Sequence, residues 1–372
     1  TALADLPAAA AAAAALPAFA LDVRDASELS IGECRREYVA RFRPLVIRGV
    51  GPLTEPSPWT LPFLRESYGQ KRAAVNLGGS QMAAACEVAG VEVMTLAELA
   101  ARVESRSTPA AYLYDCSLPL KVPQLCERVG VPAYFSHDWL QRTRSLHAFS
   151  RSWPSLFVGA TGTRSSLHID QWKGHFWMAQ LSGAKRWTIF HPDDAWCLSP
   201  SWDAAAPRLE PIFPSLDEME ASPEQYPLLR LARRVDLTLR AGEVLLVPGG
   251  APHRVRNGAS DDDGDVSVAI AANFVDASNC AAAAYLRRKD RARYANACRS
   301  PRVTPPASWW TGYAGSRLVG GNVERPRGCG ASGVVVFAAK RTVAASAANA
   351  SVKSVPWQRL GRLEANGSGG GG

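Results

Sequence analysis

Apolar and polar positions along the chain change rhythm near residue 152. Before it, helices and strands alternate. ELSIGECRREYVARFRPLVIRGV (28–50) reads as a helix and then a short apolar strand, with Pro44 ending the helix before LVI. SPWTLPFLRESYG (57–69) reads as a second helix, and AAVNL as a strand. VEVMTLAELAARVES (91–105) reads as a strand and an amphipathic helix, with Thr95 as N-cap and Glu98 completing a capping box. PAAYLYDCSLP (109–119) is a strand rich in aromatics. After residue 152 come short strand-like runs: WPSLFVGA, SSLHID, HFWMAQLSG, KRWTIFHP, EVLLVPGG, HRVRN and VSVAIAANFV. Gly, Pro, Asp and Ser turns separate them, which predicts an antiparallel barrel or sandwich.

These patterns divide the chain. Residues 1–27 form an Ala-rich, low-complexity leader, read as a leader or linker and not as a signal peptide. Residues 28–150 form a helix-and-strand portion, and 151–280 the β core, with an insertion at about 200–240. DDDGD (261–265) lacks the spacing and terminal Glu of a calcium loop and is expected to be an exposed hairpin loop. Residues 281–302 form a basic helix, and 303–372 a weakly ordered Gly/Ala-rich tail with one strand candidate, GVVVFAA (333–339).

Composition adds little about fold. Eight cysteines without a CxxC pair exclude zinc-ribbon spacing and suit reduced thiols, hence a nuclear or cytoplasmic setting. No run of about 18 strongly apolar residues is present, so no membrane span is expected. The net charge of +8 favours an acidic partner. Part of that charge lies in YLRRKDRARY (285–294) with Arg299 and Arg302, a helix that meets RNA or an acidic protein, or else a solvated face.

The chemistry concentrates in LHIDQWKGHFWMAQLSGAKRW (167–187). Strand residues i and i+2 share a face, so His168 and Asp170 point the same way. His253, after the Pro248–Gly249–Gly250 turn, is the candidate third ligand. Two histidines and a carboxylate form the facial triad of non-haem Fe(II) oxygenases. Lys185 alternates with Trp187 and Ile189, so if those two face the core so does Lys185; otherwise Arg186 faces inward or Lys185 snorkels out. A buried ammonium is costly unless it is paired.

In this context TGTRSSLHIDQWKGHFWMAQLSGAKRWTIFHP (161–192) resembles the JmjC family of Fe(II)- and 2-oxoglutarate-dependent dioxygenases, as do GEVLLVPGGAPHRVRN (242–257) and VAIAANFV (268–275). RPLVIRG (43–49) and VPAYFSHDWL (131–140) resemble its N-terminal strand and the segment leading into the barrel. The similarity covers roughly 28–290 and is nearest the hydroxylase branch. It implies a mainly β fold with flanking helices, a double-stranded β-helix of the jelly-roll or cupin kind. It also implies that His168, Asp170 and His253 bind Fe(II), that Lys185 holds the distal carboxylate of 2-oxoglutarate, and that O2 is the oxidant. Ser165 stands where the family often has a Thr donor, and Tyr114 is an additional donor or substrate contact. Trp172, His175, Met178 and Ala271 are assigned to the substrate pocket. Met178 stands where many members have Asn, and Ala271 where several have Thr or Ser, which weakens a polar surround for the co-substrate. The expected reaction is hydroxylation, or N-demethylation through hydroxylation, of a protein Lys or Arg, in a histone or an RNA-associated protein. The alternatives are an RNA or tRNA-nucleoside hydroxylase and a non-catalytic cupin-like metal-binding module.

Overall fold

The computed structural model describes residues 15–78, 80–81, 90–142, 153–202, 210–260, 266–286 and 317–319, all within one compact unit, Thr1–Glu324. The loop at 261–265, the basic helix beyond 286 and nearly all of the tail lie outside the described residues. In chain order the strands are β1 (Asp22–Asp25), β2 (Leu45–Arg48), β3 (Arg72–Leu77), β4 (Ser80–Gln81), β5 (Val91–Thr95), β6 (Ala111–Ser117), β7 (Gly130–Pro132) and β8 (Ser155–Gly159). They continue with β9 (Arg164–His168), β10 (His175–Ser182), β11 (Ala184–Phe190), β12 (Arg234–Arg240), β13 (Val244–Val247), β14 (His253–Asn257), β15 (Ser267–Phe274) and β16 (Arg317–Val319). Four helical segments matter below: α1 (Ile31–Cys34), α2 (Leu61–Tyr68), α3 (Leu96–Glu104) and α4 (Leu216–Ala221).

Two sheets face each other. One has nine strands in the order β1-β2-β13-β10-β15-β8-β6-β3-β5, the other five in the order β12-β11-β14-β9-β4. The chain crosses from one to the other as a jelly roll requires. Alternation decides what lies between them. On β10, Phe176 and Met178 point into the barrel with Trp187, Ile189, Leu245 and Val247. Trp177 and Ala179 point the other way, into a larger cluster under the helices, with Leu64 of α2 and Leu99 of α3. Both faces of the large sheet are therefore covered, and all eight residues of β15 are buried. The capping box forms as expected: Thr95 Oγ1 accepts the Glu98 amide at 3.1 Å and Glu98 accepts the Thr95 amide at 2.7 Å.

Two expected boundaries move. Residues 22–25, assigned to the leader, form β1 and pair in parallel with β2. The insertion ends before residue 234, because 234–240 form β12 and pair with β11 along its whole length. Its alternation, with Val235, Leu237 and Leu239 inward between exposed Arg234, Asp236 and Arg240, is obscured by the charged LRLARR before it. Before residue 150, β6 pairs with β8 and carries β3 and β5 into the core sheet. In the assigned tail, the backbone of β16 pairs with β7.

Candidate metal centre

Antiparallel pairing of β9 with β14 sets His168 directly opposite His253. The register shifts between His253 and Val255, so β9 gains a residue there. That residue lets Ser165 and His168 both face inward while Leu167 packs outward under the insertion. The two imidazole rings lie 4.2 Å apart, centre to centre. Asp170, just past the end of β9, places Oδ1 3.7 Å from His168 Nε2 and 3.9 Å from His253 Nε2. The three ligand atoms lie within 4.8 Å of one another, and they form the one such group among the described residues.

The surroundings set the chemistry of these atoms. His168 Nδ1–H donates to the Ser166 carbonyl at 2.6 Å, and His253 Nδ1–H to the Ala251 carbonyl at 3.0 Å. Each imidazole is thereby fixed in the tautomer whose Nε2 lone pair turns to Asp170. Asn273 Nδ2 donates to Asp170 Oδ2 at 2.9 Å, which leaves Oδ1 without that donor and facing the two Nε2 atoms. Burial lowers His253 to about 4, so it is neutral and able to ligate near neutral pH. Burial raises Asp170, opposed by His168 and by the Asn273 bond. Two neutral nitrogens and one carboxylate oxygen, converging without a cation of their own, suit a first-row divalent metal with positions left open.

Lys185 is fully buried inside the barrel. Nζ donates to Asn257 Oδ1, directly across the β11–β14 pair, and lies 3.5 Å from the Tyr112 hydroxyl. Nζ also sits 5.3 Å from the Tyr112 ring centre and 5.9 Å from that of Phe157. Among the described residues no carboxylate offsets its burial, which lowers it to about 7. Ser165 and Asn257 hydrogen-bond the Tyr112 hydroxyl, while burial pushes that phenol upward. Asn257 is held by donating Nδ2 to Thr163 Oγ1 at 2.7 Å, and a side chain at Gly159 would collide with its amide. The result is a buried cluster of one amine, two hydroxyls and an amide, groups that can hold a carboxylate.

The other expected residues divide. Met178 and Ala271 are cross-strand partners that face the barrel interior. Tyr114 borders it edge-on to Tyr112 and Phe157. Trp172 and His175 are corrections. Trp172 adopts a left-handed backbone (φ 57°) and is buried with Val275 and Ala283, away from the interior. His175, at an odd position of β10, turns to the outer side of the sheet against Phe42 and Phe274. There it braces the turn that precedes His253. Nδ1 accepts the Gly249 amide at 2.9 Å, and Nε2–H donates to Ser278 Oγ at 2.8 Å. The Ser278 hydroxyl in turn donates to Asp276 Oδ1 at 2.6 Å. Asn279 Nδ2 donates to the Lys173 carbonyl at 3.1 Å. One segment after β15 thus fixes both the turn before His253 and the loop after Asp170.

Sequence reasoning missed Tyr112, Asn257 and Asn273. Two of them left a trace: Tyr112 shares a strand face with Tyr114, and Asn273 is a polar residue in the apolar run of β15.

Comparison with known proteins shows the family. The cupin-like domain family matches residues 32–280, and the chain belongs to it. It is 24% identical over 253 residues to the lysine-specific demethylase JMJ21 of Arabidopsis thaliana, covering 68% of this chain and 25% of that protein. To the arginine-specific demethylase JMJ22 of Arabidopsis thaliana it is 30% identical over 181 residues, 47% of this chain and 33% of that one. To the 2-oxoglutarate and iron-dependent oxygenase JMJD4 of Homo sapiens it is 27% identical over 195 residues, 47% and 39% of the two chains. The matches span a quarter to two fifths of these curated relatives.

Proposed function

We propose that this protein is an Fe(II)- and 2-oxoglutarate-dependent oxygenase that hydroxylates, or N-demethylates through hydroxylation, a Lys or Arg side chain of a protein. The observation that carries this reading is the pairing of two features in one barrel. A two-histidine, one-carboxylate cluster opens to the same interior as a buried lysine without a counter-charge. His168, Asp170 and His253 would hold the iron. Lys185, Tyr112, Ser165 and Asn257 would take the distal carboxylate of 2-oxoglutarate. When bound, the iron and 2-oxoglutarate supply the activation of O2 and the delivery of one oxygen atom to a C–H bond. The chain itself orients the ligands through the Ser166 and Ala251 carbonyls and Asn273, and it buries the Lys185 amine. The named activities of the relatives support a protein substrate. Free thiols at the buried Cys34 and Cys116 support a nuclear or cytoplasmic setting.

The test is the visible charge-transfer absorption of anaerobic Fe(II)-loaded protein on adding 2-oxoglutarate. We expect a band that is lost in His168→Ala and that needs at least tenfold more 2-oxoglutarate in Lys185→Ala. Iron binding without a band would favour the second reading, a metal-binding module without turnover. The apolar Met178 and Ala271 in the interior favour that reading. Absence of iron binding would overturn both.

A further inference from the structure

One strand of the large sheet is irregular beside the metal centre. β6 pairs with β8, with Leu113 opposite Val158 and Cys116 opposite Leu156, and the register shifts between them. All four of those residues pack on the outer side of the sheet. Between them β6 has two residues, Tyr114 and Asp115, where β8 has one, Phe157. Phe157 faces the barrel interior, and Tyr114 packs against it. The extra residue makes a β-bulge, a device that redirects a side chain. Regular alternation would send Asp115 outward after Tyr114, whereas the bulge keeps it on the inner side. Asp115 takes up the irregularity with a left-handed backbone (φ 49°), a conformation that Asp tolerates better than most residues.

Strand pairing locates this residue against the metal ligands. Ser155 on β8 lies directly opposite Ala271 on β15, which lies opposite Met178 on β10. Ala271 and Met178 face the interior, so Ser155 does too. On β15, Asn273 shares the face of Ala271 and donates to Asp170. Ser155 thus stands one diagonal, about 7–8 Å, from the residue that holds a metal ligand. Ser155 is 1% exposed, and its hydroxyl neighbours the Asp115 carboxylate without a fully formed hydrogen bond among the described residues. Asp115 itself is exposed to solvent. Surrounding protein nonetheless raises its carboxyl to about 6, opposed by the Ser155 hydroxyl and reinforced by repulsion from Asp170. A carboxylate that water reaches, that protein surrounds and that Asp170 repels lies at the mouth of the barrel on the metal side. It is outside the group of three ligands, and among the described residues no cation pairs with it.

We propose that Asp115 selects the substrate: its carboxylate, turned into the barrel mouth by the β6 bulge, pairs with the ammonium or guanidinium of a cationic side chain and holds the adjoining carbons at the metal centre. One carboxylate and one hydroxyl are too few to hold a second metal, whereas an ammonium brings three N–H donors and a guanidinium five. The rings of Tyr114 and Phe157 beside the bulge cover the carbon chain that carries such a cation. The assignment rests on the oxygenase reading for its reaction, and its binding can be measured apart from that reading.

The test is a ligand-observed NMR titration of the full chain, with and without Zn(II), against three probes of similar length. These are Nα-acetyl-lysine amide, Nα-acetyl-arginine amide and the uncharged Nα-acetyl-norleucine amide. At least one cationic probe should bind about tenfold tighter than the norleucine probe, the size of one charge-assisted contact. The tighter of the two names the substrate side chain. Asp115→Asn keeps the shape and tolerates the left-handed backbone, and it should bring the three probes within about twofold of one another. Asp115→Glu restores the charge and should recover most of the preference. The proposal is overturned if the parent binds the three probes alike or if Asp115→Asn keeps the preference. It is also overturned if Asp115→Asn loses thermal stability and the charge-transfer band together with the preference, since the residue then only supports the fold. A parent that prefers the cations but gives no band with Fe(II) and 2-oxoglutarate would support the cation site while sinking the oxygenase reading.

Discussion

Lys185 shows what one buried charge can control. Its ordinary value near 10.5 falls to about 7, because nothing anionic offsets its burial among Tyr112, Phe157 and Asn257. In the free protein it therefore loses its charge above about pH 7. A bound dianion favours the ammonium and raises its value, so binding takes up a proton above that pH. The apparent affinity for 2-oxoglutarate should be level below about pH 7 and fall by up to tenfold per unit above it. Lys185→Ala, already weak, should show no such slope, and a binding titration from pH 6 to 9 reads this directly. The residues legible in the sequence were His168, Asp170 and Lys185, whose types are rare in an apolar strand-like stretch, and His253, which follows a Gly/Pro turn. Asn257 and Tyr112 reach Lys185 from 72 and 73 residues away, and Asn273 reaches Asp170 from 103 away. Nothing local marks such partners, because only strand pairing brings them together.

At the scale of elements, most strands could be read from alternation and turn residues, and α3 from its capping box. β1 and β12 could not, since each borders charged or low-complexity sequence that hides its short apolar set. Trp172 and His175 failed for a different reason. Both lie close in sequence to Asp170, but a left-handed turn and strand alternation send them out of the barrel. The segment after β15 is what gives His175 its use. His175→Ala removes the acceptor for the Gly249 amide and should weaken metal binding by about tenfold or more. His175→Asn keeps an acceptor near that position and should recover most of the loss. Isothermal titration with Co(II) separates the two, whereas a purely structural role would lower thermal stability in both with no change in metal affinity.

For the whole molecule, burial of histidines makes the metal-free fold sensitive to acid. His253 and His175 each sit at about 4, against 6.5 unfolded, mainly because both are buried. The unfolded chain binds their protons first, so stability is full above about pH 6.5 and is lost as pH falls towards 4. The loss is of the order of 3 kcal/mol per histidine. Asp170, raised by burial, acts in the opposite sense at the acid end and blunts the last part of the fall. Denaturant unfolding of metal-free protein at pH 7 and pH 5 should show the drop, and His175→Asn should shrink it.

The large sheet also constrains how the chain can be made. β2 is held on one side by β1 and on the other by β13, whose Val244 pairs with Ile47 nearly two hundred residues later in the chain. A ribosome adds about 5–20 residues per second, so the strand at 45–48 waits roughly 10–40 s for its neighbour to be synthesised. Through that interval an apolar edge stays open beside other nascent chains. Strand edges of that kind invite wrong partners, so the yield of folded protein should rise when synthesis between β2 and β13 is faster or when a holding chaperone covers residues 22–48.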